Sequence, residues 1–510
     1  MWLASSDSYN YIIKKVQLNS DLIRLICFIN YLIVLSSLKQ KTLSGVLWSC
    51  VERFSVQGIQ FVIMVIMARI LLPSDYGMIG MLAIFIAIAQ TLIDSGFSNA
   101  LIQKKDRSEI DYSTVFYFNI AVGIVLYFIL FFSSPLIARF YNTPELTGLT
   151  RVLALNLFIN SLAVVQRAIL SIKIDFKTQA KASFSAAIIS GIVGIVMAYT
   201  GFGVWSLAVQ TVLNAFVNTV LLWIFSKWIP LKVFSFESFK KLFTFGSKLL
   251  ASGLLDTIYR NIYTIVIGKK FASTDLGYFT RADQFAQFPS SNLTGIIQRV
   301  TFPVLSEIQD DDERLAHAYR KFLRLSAYMI FPLMTGLAAV AYPFINCLLT
   351  EKWTFTALLL QILCFSYMWY PVHAINLNLL QVKGRSDLFL KLEIYKKIMG
   401  IVVLGVTIPL GLVAMCWGTI IASLFSLVIN TYYTGKLIHV GLFKQLRDLS
   451  PALFYSLTMA IVVYLTTCLF ADQLLQLLIG IITGIIYYLL VSYATKSQDL
   501  KEFLLLIKRK

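Results

Sequence analysis

The chain has 510 residues, 58% hydrophobic and 14% charged, and its mean hydropathy of +0.75 excludes a soluble protein that covers its core with polar surface. A formal charge of +18, from 44 Lys plus Arg against 26 Asp plus Glu, would suggest nucleic acid in a soluble chain. Here the cations sit in short breaks between apolar runs, so membrane topology accounts for them and no nucleic-acid partner is expected.

Apolar runs of about 20 residues, enough to cross a bilayer as helices, recur along the chain. Six are predicted at 45–70, 77–97, 113–133, 151–171, 182–200 and 204–225. Eight more follow at 247–268, 283–304, 325–349, 355–381, 392–409, 411–433, 451–470 and 474–494. The predicted fold class is therefore an all-α polytopic membrane protein of about fourteen transmembrane helices. Ahead of these, residues 1–40 read as a cytoplasmic or interfacial extension. Their apolar stretch, 22–35, is short and holds Arg24 and Asn30, and no small-residue cleavage site follows it.

Lys and Arg crowd alternate breaks. Lys104, Lys105 and Arg107 follow the second span, Lys173, Lys177 and Lys181 the fourth, and the pattern continues to Lys436, Lys444 and Arg447 after the twelfth. The intervening breaks hold at most one basic residue each, except the break after the seventh span, with Lys269, Lys270 and Arg281. Both termini are thus predicted in the cytoplasm.

An internal repeat runs at a constant offset of 200 residues: Arg69 matches Lys269, Asp75 matches Asp275 and Gly77 matches Gly277. The same offset carries Gln57 and Gln60 onto Thr257 and Arg260, although Asp256 falls on Val56. Several matches in register predict two parallel six-helix lobes, 41–241 and 242–448, with a site in the cleft between them. Residues 449–510 add the last two helices and a basic tail.

Ionisable side chains inside such spans mark a protein interior or an aqueous cavity. The first span puts Ser49, Arg53, Gln57 and Gln60 on one face with Glu52 on its flank; the fourth aligns Asn156, Asn160 and Arg167. In the seventh, Asp256 and Arg260 are four residues apart, which allows either a self-neutralising pair or a substrate and coupling-ion site. Arg281, Asp283, Arg299 and Asp94 lie near span ends, so each reads either as snorkelling to the interface or as lining the cavity. The excess of arginine suits bidentate binding of phosphate better than binding of a cationic drug. Arg53, Gln57, Gln60, Asn160, Arg167, Arg260, Arg281 and Arg299 are accordingly the substrate-binding candidates, and Glu52, Asp94, Asp256 and Asp283 the coupling-ion candidates.

No cofactor or metal is expected. The six cysteines lack C-x-x-C spacing, the three histidines (His317, His373, His439) lack zinc spacing, and no G-x-x-x-x-G-K-[ST] phosphate loop occurs. The acidic run Asp310-Asp311-Asp312-Glu313 reads as a solvated helix cap.

From about residue 38 onward the chain resembles the polysaccharide-transport branch of the multidrug/oligosaccharidyl-lipid/polysaccharide flippase superfamily, which includes exporters of O-antigen, colanic acid and teichuronic acid. The segments that carry the resemblance are 68–77, Gly277-Tyr278-Phe279-Thr280-Arg281-Ala282 followed by Gln284, Arg299-Val300-Thr301-Phe302-Pro303, and Gln309-Asp310-Asp311. The resemblance implies a bilobed, non-enzymatic flippase of the bacterial inner membrane. It would move undecaprenyl-diphosphate-linked oligosaccharides by alternating access for lipopolysaccharide or capsule synthesis, beside a polysaccharide polymerase and glycosyltransferases. The arginines would then meet the headgroup or the glycan. A cation-coupled drug exporter of the same superfamily is the nearest alternative, and a membrane glycosyltransferase or polymerase a more distant one.

Overall fold

The structure, a computed structural model, describes residues 55–94, 97–104 and 106–508. The extension 1–40, Glu52 and Arg53 lie outside the described residues.

Among the described residues every regular element is helical. The first half of the chain comprises α1 (Ser55–Ile70), α2 (Pro73–Asp94), α3 (Phe97–Gln103), α4 (Glu109–Tyr141), α5 (Leu146–Ser161), α6 (Val164–Ile172), α7 (Phe176–Tyr199) and α8 (Val204–Ser226). The second contains α9 (Phe236–Arg260), α10 (Ile262–Lys270), α11 (Ser273–Glu307), α12 (Asp312–Ala339), α13 (Ala341–Leu349), α14 (Thr354–Tyr367), α15 (Tyr370–Val382), α16 (Ser386–Thr407) and α17 (Leu412–Ile438). Two further long helices, α18 (Leu442–Thr467) and α19 (Gln473–Ala494), and a short α20 (Gln498–Lys508) complete it. Nine of the described helical segments are long and apolar enough to cross a membrane, or ten if the bent α5–α6 pair is one span. The chain is thus a multi-pass membrane protein; the count of fourteen goes beyond what length and composition alone establish.

Four predicted spans contain a break between helices, the fourth, seventh, ninth and tenth, and at the first two of these a local reason is visible. The fourth bends by 40° between α5 and α6. There the Thr219 hydroxyl and the Trp223 indole of α8 donate to the Ile159 and Leu162 carbonyls (3.2 and 2.9 Å), so side chains insert into the helical ladder. The seventh breaks between α9 and α10, where the Asn261 amide donates to the Thr257 carbonyl (2.8 Å) and competes with the main chain.

The repeat has a physical counterpart where α2 and α11 begin. Asp75 accepts a hydrogen bond from the Leu72 amide (2.9 Å), and Asp275 one from the Ala272 amide (3.3 Å). The two helix starts then cross in van der Waals contact. A Cβ on Gly77 would collide with the Ser273 carbonyl, and a Cβ on Gly277 with the Pro73 carbonyl. One contact is therefore made twice, with partners exchanged at the offset of 200.

The basic members of the repeat reach across in the same crossed fashion. Arg69 donates to the Leu348 (2.8 Å) and Cys347 carbonyls at the end of α13, and Lys269 to the Phe140 carbonyl at the end of α4. Each cation thus caps a helix C-terminus in the other half of the chain, where orphan carbonyls and the helix dipole favour positive charge. Lys269, one of the three cations that depart from the loop-charge alternation, is held in this way. Trp353, fully buried, sits between the halves: its indole donates to the Ala68 carbonyl (2.8 Å), and Tyr76 and Tyr278 meet its ring edge-on.

The connection from α8 to α9 is pinned to the start of α4. Trp228 donates to Glu109 (2.8 Å), the Leu231 and Ser235 amides to Ser113 and Thr114 (2.9 and 3.0 Å), and Ser238 to the buried Asp111 (2.7 Å), which Lys104 also pairs (2.6 Å). At the other end, Arg320 of α12 grips Asp448 of α18 with two hydrogen bonds of 2.6 Å. The residues read from sequence as a basic tail form α20, which docks through its acids: Asp499 pairs with Arg324 and Glu502 with Lys321, both at 3.2 Å.

Gly77→Ala and Gly277→Ala should each lower the thermal unfolding midpoint in detergent, by the roughly 1–3 kcal/mol of an overpacked contact. Gly58→Ala, with open space around it, should hold or raise the midpoint, and equal midpoints for all three would refute the tight crossing. Asp448→Ala should cost roughly 1–3 kcal/mol by stranding Arg320; an unchanged midpoint would show that the pair does not anchor α18.

Candidate functional site

A cavity of about 380 Å³ lies mainly within the first half and is completed by Arg281 and Gln284 of α11. Met64 and Met67 of α1 supply apolar wall, while Gln60, Asn156, Asn160 and Arg167 form one polar flank. Opposite them, α8 presents Gln210, Thr211, Asn214 and Asn218, with Ser190 of α7 behind. Among the described residues its lining includes no carboxylate.

The flank on α5 and α6 is a connected chain. Arg167 donates to the Asn160 side-chain oxygen (3.3 Å), and the Asn160 amide nitrogen donates to Asn156 (3.1 Å) and to Gln90 of α2 (3.3 Å). Gln90 in turn donates to Asp94 (3.2 Å). A guanidinium and a carboxylate are thereby linked through two neutral amides without meeting as an ion pair.

Arg281 is held differently. Its guanidinium lies 4.0 Å above the Tyr76 ring, a cation–π contact, and one terminal nitrogen donates to Gln284. Its Nε has no hydrogen-bond partner, and neither do the Tyr76 hydroxyl or the Asn218 side-chain oxygen, all three atoms being shielded from solvent. Polar atoms left so cost about 1–3 kcal/mol each, which a polar ligand in the cavity would offset. Among the described residues no carboxylate pairs with Arg281 or Arg167.

Of the sequence candidates, the structure brings Gln60, Asn160, Arg167 and Arg281 together at this cavity and ties Asp94 to it through Gln90. Gln57 lies on α1 outside the lining, its side-chain oxygen buried and unpartnered. Arg260 and Asp256 pair with each other at 2.7 Å, away from the cavity, as their four-residue spacing allows. Asp283 accepts from the Tyr367 hydroxyl (2.8 Å) within the second half, and Arg299 is exposed. Arg53 and Glu52 fall outside the described residues.

The reading by charge missed the α8 amides, Ser190 and Tyr76. Their signal was present: Gln210, Asn214 and Asn218 recur every four residues within an otherwise apolar span. A search for ionisable groups passes over neutral amides. Among the described residues no group of three or more His, Cys, Asp or Glu side chains is placed to hold a metal ion.

Comparison with known proteins agrees with this architecture. The profile of the family described as polysaccharide biosynthesis protein matches residues 66–358. The lipopolysaccharide biosynthesis protein WzxC of Escherichia coli K12 is 30% identical over 78% of this chain and 80% of its own length. The teichuronic acid biosynthesis protein TuaB of Bacillus subtilis is 26% identical over 92% of this chain and 98% of its own. Among solved structures, the lipid II flippase MurJ in an inward closed conformation superposes with a TM-score of 0.73 over 89% of this chain and 99% of its own, at 17% identity, which establishes a shared fold. The chain belongs to the polysaccharide biosynthesis protein family, in the polysaccharide-transport branch that its motifs resemble.

Proposed function

We propose that this protein is a flippase that carries a lipid-linked oligosaccharide, built on undecaprenyl diphosphate, across the bacterial inner membrane by alternating access for surface polysaccharide synthesis. The observation that carries the reading is the cavity itself: two half-buried arginines that form no salt bridge among the described residues, set among neutral amides where the two halves of the chain meet. Guanidinium forks match diphosphate oxygens, and amides match sugar hydroxyls. The names of the relatives and the MurJ-like fold support the same substrate class.

The loop-charge alternation supports fourteen crossings with both termini in the cytoplasm. The crossed contacts at Gly77 and Gly277 support two lobes related by an axis along the membrane normal. In that orientation the crossing lies on the outward side, which supports loading of substrate from within. Polysaccharide polymerase and glycosyltransferases would act on the same lipid before and after translocation, and the protein itself performs no covalent chemistry. A drug exporter needs carboxylates facing its cation. Among the described residues Asp94, Asp256 and Asp283 all lie off the cavity wall, which weighs against that alternative, and the same placement disfavours acid catalysis by Asp283.

Deletion of the gene should accumulate untranslocated lipid-linked repeat units on the cytoplasmic leaflet. Unchanged polysaccharide output without accumulation, in a strain with no second exporter, would defeat the proposal. Complementation with Arg281→Gln or Arg167→Gln should lower output roughly 10- to 100-fold, the worth of a charge-assisted hydrogen bond. Arg299→Gln should complement within about threefold, and an equal loss in that variant would remove the cavity from its role.

A further inference from the structure

Resting on the transport reading, we infer that α8 reads the glycan. Gln210, Asn214 and Asn218 form a ladder of carboxamides that hydrogen-bonds the uncharged hydroxyl and amide groups of the sugars next to the diphosphate, while the arginines hold the diphosphate.

Spacing is the first ground. Residues four apart on a helix share a face and rise about 6 Å per step, so the ladder is about 12 Å long. It therefore presents repeated partners along a short oligosaccharide rather than one point of contact. Chemistry is the second. A carboxamide offers two donors and an acceptor without charge, which complements sugar hydroxyls and burdens a membrane interior less than an ion does.

The third ground is that these amides keep most of their hydrogen-bonding capacity unused. On the opposite wall Asn160 is spent on Gln90, Asn156 and Arg167, and Gln90 on Asn160 and Asp94. On α8, Asn214 makes one side-chain hydrogen bond, to Ser190 (3.1 Å). Gln210 and Asn218 have none within the described residues, and the Asn218 oxygen is shielded from solvent.

The ladder is also rigidly set. Thr219 and Trp223, on the adjoining face of α8, donate to backbone carbonyls at the α5–α6 bend and fix the rotation of the helix. A site whose polar groups are held and unpaired discriminates strongly against ligands that leave them unpaired. The opposite wall thus serves to hold Arg167, and α8 to tell one glycan from another.

The test measures affinity of the full-length protein for two probes: the lipid-linked oligosaccharide extracted from the deletion strain, and glycan-free undecaprenyl diphosphate. Wild type should prefer the glycan-bearing lipid. Asn214→Leu combined with Asn218→Leu should weaken that probe roughly 10- to 100-fold, the loss of two or more neutral hydrogen bonds, and leave the glycan-free lipid unaffected. Arg281→Gln should weaken both probes by the same factor, and Asn214→Gln should keep most of the preference.

A wild-type protein without preference, or a leucine double variant that keeps it or loses both probes equally, overturns the ladder. If the double variant melts early, Gln210→Leu alone is read in its place by the same criteria. Failure of wild type to bind either probe overturns the transport reading instead.

Discussion

Everything else in the molecule is arranged around two backbones that touch. At Gly77 and Gly277 the starts of α2 and α11 approach until no side-chain carbon fits between them. That approach places Tyr76 and Tyr278 on either side of Trp353 and brings Arg281 over the Tyr76 ring. Arg281, with Gln284, therefore reaches a cavity otherwise built from the first half because the crossing delivers α11 there. A contact made of paired glycines has little side-chain grip of its own. It is reinforced by Arg69 and Lys269, whose charges satisfy carbonyls that the facing helix ends leave open.

Pairing the same contact twice has an energetic logic. A duplicated half that meets its copy about an axis needs only one good surface, since each favourable interaction is obtained a second time. The cavity of amides and arginine lies mainly within the first half, whereas the second half holds Trp353, Phe331 and Leu359 as fully buried side chains. Asymmetry in packing thus sits beside the paired contact at Gly77 and Gly277.

The fold was legible in the sequence to the extent that water and lipid dictate it. Apolar runs located the helices, and the offset of 200 picked out Asp75, Gly77, Asp275 and Gly277 as matched positions, whereas the contact between the two helix starts came from the structure. The bends were not legible: α5 and α6 part because Thr219 and Trp223 arrive from α8, a tertiary event that no local pattern in 151–171 announces. For the site, Arg167 and Arg281 were visible as charges in apolar surroundings. Arg260 was visible for the same reason and yet is neutralised by Asp256 on its own helix. Charge in a span says that a partner exists; it does not say whether that partner is protein or ligand. The α8 amides were passed over because neutral polarity is a weaker signal than charge, although it carries more of the hydrogen-bonding chemistry.

The pinned connection between α8 and α9 bears on how the chain could be cut. By the repeat, the second half begins near residue 242, yet Leu242 is buried with Phe97, Leu101 and Val115 of the first half, and Phe239 stacks on Phe97. The opening turns of α9 are thus the closing piece of the preceding half's core. Fragments separated within residues 227–235 would leave one without its last wall and the other with a strip of exposed phenylalanine, so the natural joint for coexpressed halves lies beyond those turns, inside α9 itself.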